Sequence, residues 1–124
     1  MNILIVDESS KDAISTAAAL EHACKIKCCD NETDIRYYKD VKSVPKKAIT
    51  DLDLVIVDAN GAGVIERIRS LGKRTCVLGV ASCAQERERI VKKGANGIIR
   101  KPLDIMQAAM IVSNIGSASY SLTL

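Results

Sequence analysis

The chain has 124 residues, 48% of them hydrophobic, with no Trp, no Phe and only three Tyr. Its formal charge is +3, from 18 Lys and Arg against 15 Asp and Glu. This length suits one domain over residues 1–124 with a real, aliphatic core, the apolar content excludes a disordered chain, and the small basic excess leaves no footprint for nucleic acid.

Ile3-Leu4-Ile5-Val6 is a short apolar run that stops at Asp7-Glu8, which predicts a buried strand. Met1 leads straight into it, so no leader peptide is expected. No apolar run approaches the roughly 20 residues that span a bilayer, and a soluble, cytoplasmic protein is the expectation. Ser9-Ser10 can cap a helix to about His22, with Ala13, Ala17, Leu20 and Cys24 as its apolar stripe. A second strand is predicted from Lys25 to Cys29. Thr33 then suggests a helix containing Ile35, Tyr38 and Val41, ended by Pro45, with a short piece at Lys46 to Ile49.

Leu54-Val55-Ile56-Val57 predicts a third buried strand, ending abruptly at Asp58. Asn60-Gly61-Ala62-Gly63 reads as a turn, and Val64, Ile65, Ile68 and Leu71 mark a helix closed by Gly72. Thr75 to Val80 reads as strand four, Ala84 to Lys93 as a charged helix, and Gly97 to Arg100 as strand five. A last helix is expected from about Leu103 to Ile115, just after Pro102. Alternating strands and helices predict an α/β fold, a parallel sheet covered by helices on both faces.

The five cysteines (Cys24, Cys28, Cys29, Cys76 and Cys83) contain no C-x-x-C pair, and with His22 they match no zinc-finger spacing. They read as reduced thiols packed in the core. His22, at the predicted end of a helix, reads as an exposed polar residue.

Ligands of open α/β sheets bind outside the carboxyl ends of the strands. Asp7 and Glu8, Asp58, Ser82 and Lys101 follow four such ends. Each acid alone is as well explained by capping the next turn; the conjunction is what points to a site. Three carboxylates at one mouth need a cation or a raised pKa, and Mg²⁺ accepts carboxylates, a carbonyl and water. Metal and Lys101 together would receive a phosphoryl group, and a carboxylate between them could form an acyl phosphate.

These residues resemble the receiver domains of bacterial two-component response regulators. The resemblance rests on Ile3 to Glu8 (Ile-Leu-Ile-Val-Asp-Glu), on Asp53 to Asp58 (Asp-Leu-Val-Ile-Val-Asp), and on Lys93 to Pro102 (Lys-Gly-Ala-Asn-Gly-Ile-Ile-Arg-Lys-Pro). It implies a flavodoxin-like doubly wound, five-stranded parallel sheet in the order 2-1-3-4-5. It implies Asp58 as phosphoacceptor from a histidine kinase or phosphotransfer protein. Asp7, Glu8, Asp58 and the Asn60 backbone carbonyl would hold Mg²⁺, Lys101 would contact the phosphoryl group, and the Lys101–Pro102 bond would be cis. Such a domain is not an enzyme in the ordinary sense; standing alone, it signals through another protein. The last helix is more apolar than one buried face requires, and Ile105, Met106, Met110 and Ile111 on it are the expected contact residues.

The chain also departs from the family. Glu8 stands where an Asp is usual, and the loop after Asp58 is short. Val80 or Ala81 aligns with the usual Thr or Ser, leaving Ser82 as the nearest hydroxyl for a switch, and Ile98 replaces the usual aromatic. These departures raise the alternative of a phosphorylation-independent binding module on the same fold. A flavin- or nucleotide-binding enzyme is a weaker third reading, resting on the fragment Gly61-Ala62-Gly63.

Overall fold

The computed structural model describes residues 1–26, 33–71 and 75–115, and the backbone of 122–123. Five parallel strands form the body of the sheet: β1 (Asn2–Val6), β2 (Asp34–Tyr38), β3 (Leu54–Asp58), β4 (Cys76–Val80) and β5 (Gly97–Ile99). Their spatial order is the expected 2-1-3-4-5, and a two-residue β6 (Leu122–Thr123) adds beside β5.

The central strands form where sequence and burial agree. β1, β3 and β4 are nearly continuous aliphatic runs because both of their faces are covered. Their side chains alternate between two cores. Ile3, Ile5, Leu54, Ile56 and Leu78 pack under α1 (Ser10–Ile26) and α4 (Ile105–Asn114). Leu4, Val6, Val55, Val57 and Val77 pack under α2 (Gly63–Ser70) and α3 (Ala84–Lys92). Each fully buried Leu, Ile or Val contributes about 1.5–3 kcal/mol, so this two-sided burial is what makes the sheet the rigid support for the site.

The segment from Lys25 to Val41 departs from expectation. Lys25 and Ile26 close α1 rather than opening a strand. Cys28 and Cys29 lie outside the described residues. The stretch read as a helix is instead β2, paired to β1 from Asn2↔Asp34 to Val6↔Tyr38. Ile35 and Tyr38 stand at helical spacing, but β2 is an edge strand with Asp34, Arg36 and Tyr37 exposed. No α-helix separates β2 from β3. The chain crosses instead by two 3₁₀ turns, Val41–Ser43 and Lys46–Ile49. Asp40 caps the first through the Ser43 amide at 2.8 Å, and Val44, Ala48 and Ile49 fill the core that a helix would cover. Arg67 of α2 holds this crossover by donating Nη1 to the carbonyls of Val41 (3.3 Å) and Val44 (3.1 Å). Asp51 takes a positive φ of 56°, its carbonyl anchored by the Asn2 side-chain amide at 3.0 Å.

Smaller corrections follow from burial. Leu71, read as part of the α2 stripe, is exposed beyond the helix end, and Gly72 lies outside the described residues. α4 begins later than predicted, because Asp104 caps it through the Gln107 amide at 2.7 Å; Gly116, expected to end it, is outside the described residues. Ile111, read as part of a contact face, is fully buried with Ala108 and Val112, while Ile105, Met106 and Met110 remain exposed. Cys24 and Cys76 are buried, as expected, but Cys83 is exposed. Burial pushes the Cys76 thiol up to about 11. Among the described residues, no helix is long and apolar enough to cross a membrane.

Candidate functional site

The carboxyl ends of β1, β3, β4 and the loop after β5 bring Asp7, Asp58 and Lys101 to one mouth of the sheet. Asp7 is 4% exposed. Its Oδ1 accepts the Ser9 amide at 2.9 Å, and its Oδ2 meets Lys101 Nζ at 2.7 Å. The Tyr37 hydroxyl of β2 donates to the Asp7 carbonyl at 2.9 Å, so the edge strand holds the acidic loop. Lys101 follows β5, and the Lys101–Pro102 peptide is cis, as the resemblance implied.

Asp58 closes β3 and caps the 3₁₀ turn Ala59–Gly61. One carboxylate oxygen accepts the Gly61 amide at 2.8 Å and the other the Glu8 amide at 3.0 Å. The turn is pressed against β1: a Cβ on Gly61 would stand 2.8 Å from Val6 Cγ1. This tight approach favours a residue without a side chain at position 61. Burial raises the Asp58 pKa, the two amides oppose that rise, the Asp7 charge adds to it, and Lys101 opposes it from beyond ion-pair contact.

Glu8 and Asn60 meet each other: Asn60 Nδ2 donates to Glu8 Oε2 at 2.6 Å. Ser82 lies two residues beyond β4, and both its amide (2.9 Å) and its hydroxyl (2.5 Å) donate to Glu86 Oε1 in the first turn of α3. The β4 residue in register with Asp58 is Val80. Ile98 is partly buried against the α2–α3 core. An open cleft of about 670 Å³ runs beside Asp58, lined by Asn60, Val80, Ser82, Arg87 and Lys101 among others.

Among the described residues, no three Asp, Glu, His or Cys side chains are arranged to hold a metal ion. The donor chemistry nevertheless suits a hard cation: Asp7 and Asp58 are oxygen donors close enough for one charge to raise the other's pKa. Glu8 is the member that does not converge, because its carboxylate is turned onto Asn60.

Sequence reasoning missed four participants. Asp12, in the first turn of α1, bonds Lys101 Nζ at 2.9 Å. Tyr37 and Glu86 hold Asp7 and Ser82 as described. Arg89 of α3 donates Nη2 to the Ala59 carbonyl at 2.8 Å, tying that helix to the loop after Asp58. An acid in a first helical turn reads as a dipole partner, and Asp12 and Lys101 stand 89 residues apart. Only the folded topology joins them. The hydrogen bond from Lys101, and then its charge, hold the Asp12 carboxyl below the usual range. Burial opposes the charge on Lys101, but Asp7 and Asp12 outweigh it and raise its pKa.

No family model matches the sequence, and no curated protein matches it. Solved structures do. The isolated receiver domain of RcsB from Salmonella enterica serovar Typhimurium, in the presence of the phosphomimetic BeF3⁻, is similar over 100% of this chain and 93% of its own, at 13% identity and a TM-score of 0.71. The signal receiver domain of a DNA-binding response regulator (merR) from Colwellia psychrerythraea is similar over 92% and 96%, at 20% identity and a TM-score of 0.66. A response regulator from Thermotoga maritima is similar over 91% and 94%, at 23% identity and a TM-score of 0.64. With β1 to β5 in the order 2-1-3-4-5 and helices on both faces, this chain has the flavodoxin-like fold of response regulator receiver domains.

Proposed function

We propose that this chain is a phosphoacceptor signalling domain, with Asp58 taking a phosphoryl group from a phosphohistidine on a histidine kinase or phosphotransfer protein. The observation that carries this reading is the meeting of Asp7, Asp58 and Lys101 at one mouth of the sheet, beside an open cleft. In the transfer, an Asp58 carboxylate oxygen bonds to phosphorus as the phosphorus–nitrogen bond breaks. The electron pair of that bond returns to the donor imidazole, which can then take up a proton. Each Asp58 oxygen accepts one amide and keeps a further lone pair for the attack.

Lys101 would contact the phosphoryl oxygens, leaving part of its present ion pairing. Mg²⁺, when bound, would supply positive charge to those oxygens; Asp7, Asp58 and the Asn60 backbone carbonyl are the donors that would hold it, and Glu8 would join them only on leaving Asn60. The domain would work in the cytoplasm and signal by being recognised, and Ile105, Met106 and Met110 on α4 offer an apolar surface for that contact.

The test is incubation with Mg²⁺ and a small acyl phosphate, followed by intact mass. The expected result is the mass of one added phosphoryl group, absent in Asp58→Ala. No gain, while a typical receiver reacts alongside, would sink the proposal.

One observation favours a second reading, a binding module that works without phosphorylation. The usual hydroxyl position holds Val80 or Ala81 and the usual aromatic position Ile98, and the nearest hydroxyl, Ser82, is engaged by Glu86. A partner that binds wild type and Asp58→Asn equally under phosphorylating conditions would support it.

A further inference from the structure

Lys101 Nζ is shared by two acids on different pieces of chain. Asp7 Oδ2 lies 2.7 Å away at the end of β1, and Asp12 Oδ2 lies 2.9 Å away in the first turn of α1. Among the described residues these two are its ion-pair partners, and Asp58 is not one of them. The ammonium that faces the candidate acceptor is therefore already committed to two carboxylates.

The position of Asp12 is built rather than incidental. Ser9 holds both acids in place: its amide donates to Asp7 Oδ1 at 2.9 Å, and its hydroxyl accepts the Asp12 amide at 3.2 Å. The two acids differ in solvation. The Asp7 side chain is 5% exposed and the Asp12 side chain 44%. Asp7 cannot lose its cation without stranding a buried charge, whereas Asp12 can return to water at little cost. Of the two contacts, the one to Asp12 is the one that can be exchanged.

An ammonium has three donors, and two are used here. A phosphoryl group on Asp58 would add negative charge to a mouth that already holds Asp7, Glu8 and Asp12 against Lys101. We infer that Asp12 is a positioning residue that competes with an anion on Asp58 for the Lys101 ammonium, and so sets how readily the site takes a phosphoryl group. This inference rests on the reading of Asp58 as acceptor. On anion binding, Lys101 keeps Asp7 and turns its third donor to the anion, and its contact to Asp12 weakens because the two negative groups compete for one positive charge. Asp12 touches neither anion nor Asp58; it acts through Lys101.

The experiment is titration of the full chain with BeF3⁻ and Mg²⁺, followed by fluorine-19 NMR, for wild type, Asp12→Asn, Asp12→Glu, Lys101→Ala and the double variant Asp12→Asn with Lys101→Ala. The Asp12 backbone amide donates to Ser9 Oγ whatever the side chain, so these variants keep that bond at the helix start. Asp12→Asn is expected to bind BeF3⁻ roughly two- to fivefold tighter, the range that a partly exposed ion pair is worth. Asp12→Glu is expected to return toward wild type. In the Lys101→Ala background, Asp12→Asn is expected to change nothing further, because the pair acts as a unit. Equal or weaker binding by Asp12→Asn overturns the inference alone. A gain that persists without Lys101 also overturns it, because the charge would then act at long range. Absence of bound BeF3⁻ in every variant overturns the acceptor reading and the inference with it.

Discussion

Asp58 Oδ1 accepts the Gly61 amide at 2.8 Å, so the candidate acceptor is also the cap of the turn that follows it. The second oxygen takes the Glu8 amide, and the carboxylate thus joins the loops after β1 and β3. These two roles make opposite demands when the side chain is replaced.

Removing the charge and removing the acceptor are expected to differ. Asp58→Asn keeps an oxygen for one amide, whereas Asp58→Ala leaves both without a partner and is expected to be about 1 kcal/mol less stable than Asp58→Asn. The pH dependence has a fixed sign. Burial raises the folded-state pKa of Asp58 above its unfolded value, so the folded chain binds this proton more tightly. Its ionisation costs stability. Wild type should therefore lose stability relative to Asp58→Asn as pH rises from the ordinary carboxylate range through the raised value, and the difference should level off above it. Urea unfolding across that window measures both effects; a wild type that gains stability relative to Asp58→Asn as pH rises would refute the assignment.

Glu8→Asp should shorten the side chain enough to break its 2.6 Å contact with Asn60 and restore the usual acidic pair beside Asp7. Mg²⁺ tolerates little departure from octahedral geometry, so a several-fold gain in Mg²⁺ affinity is expected. Isothermal titration reads it directly. An unchanged affinity would mean that Glu8 does not limit the site.

Ser82→Ala should leave the rate of Asp58 modification within about twofold of wild type, while loosening the start of α3 by about 0.5–1.5 kcal/mol, the net worth of one hydrogen bond. The reason is that the Ser82 hydroxyl is spent on Glu86. Intact-mass kinetics and denaturant midpoints separate the two outcomes.

Gly79→Ala is expected to cost about 1–3 kcal/mol by overpacking. Gly79 sits in β4, and a Cβ there would overlap Cγ2 of the fully buried Ile90. A denaturant midpoint equal to wild type would show that α3 can shift outward without penalty.

What the sequence revealed, and what it hid, follows from burial. β1, β3 and β4 were readable because two-sided burial leaves nearly continuous apolar runs, and those of β1 and β3 end sharply at Asp7 and Asp58. The same sharp ends located the acids of the site. β2 was not readable, because an edge strand keeps charged residues and its Ile35 and Tyr38 happen to fall at helical spacing. Positions were easier to read than partners. Nothing in the spacing shows that Glu8 turns onto Asn60, that Ser82 serves α3, or that Asp12 shares Lys101, since each depends on where another loop arrives.

The crossover between β2 and β3 has a consequence for how the domain opens. A helix would satisfy its amides in a cooperative ladder; the turns at Val41–Ser43 and Lys46–Ile49 instead depend on a few local contacts and on the grip of Arg67. Amide exchange in this stretch should therefore proceed by small local openings, while β1 and β3 beneath it exchange only when the whole domain unfolds. The flank beside the crossover is thus expected to open on its own while β1 and β3, which end at the candidate site, stay closed.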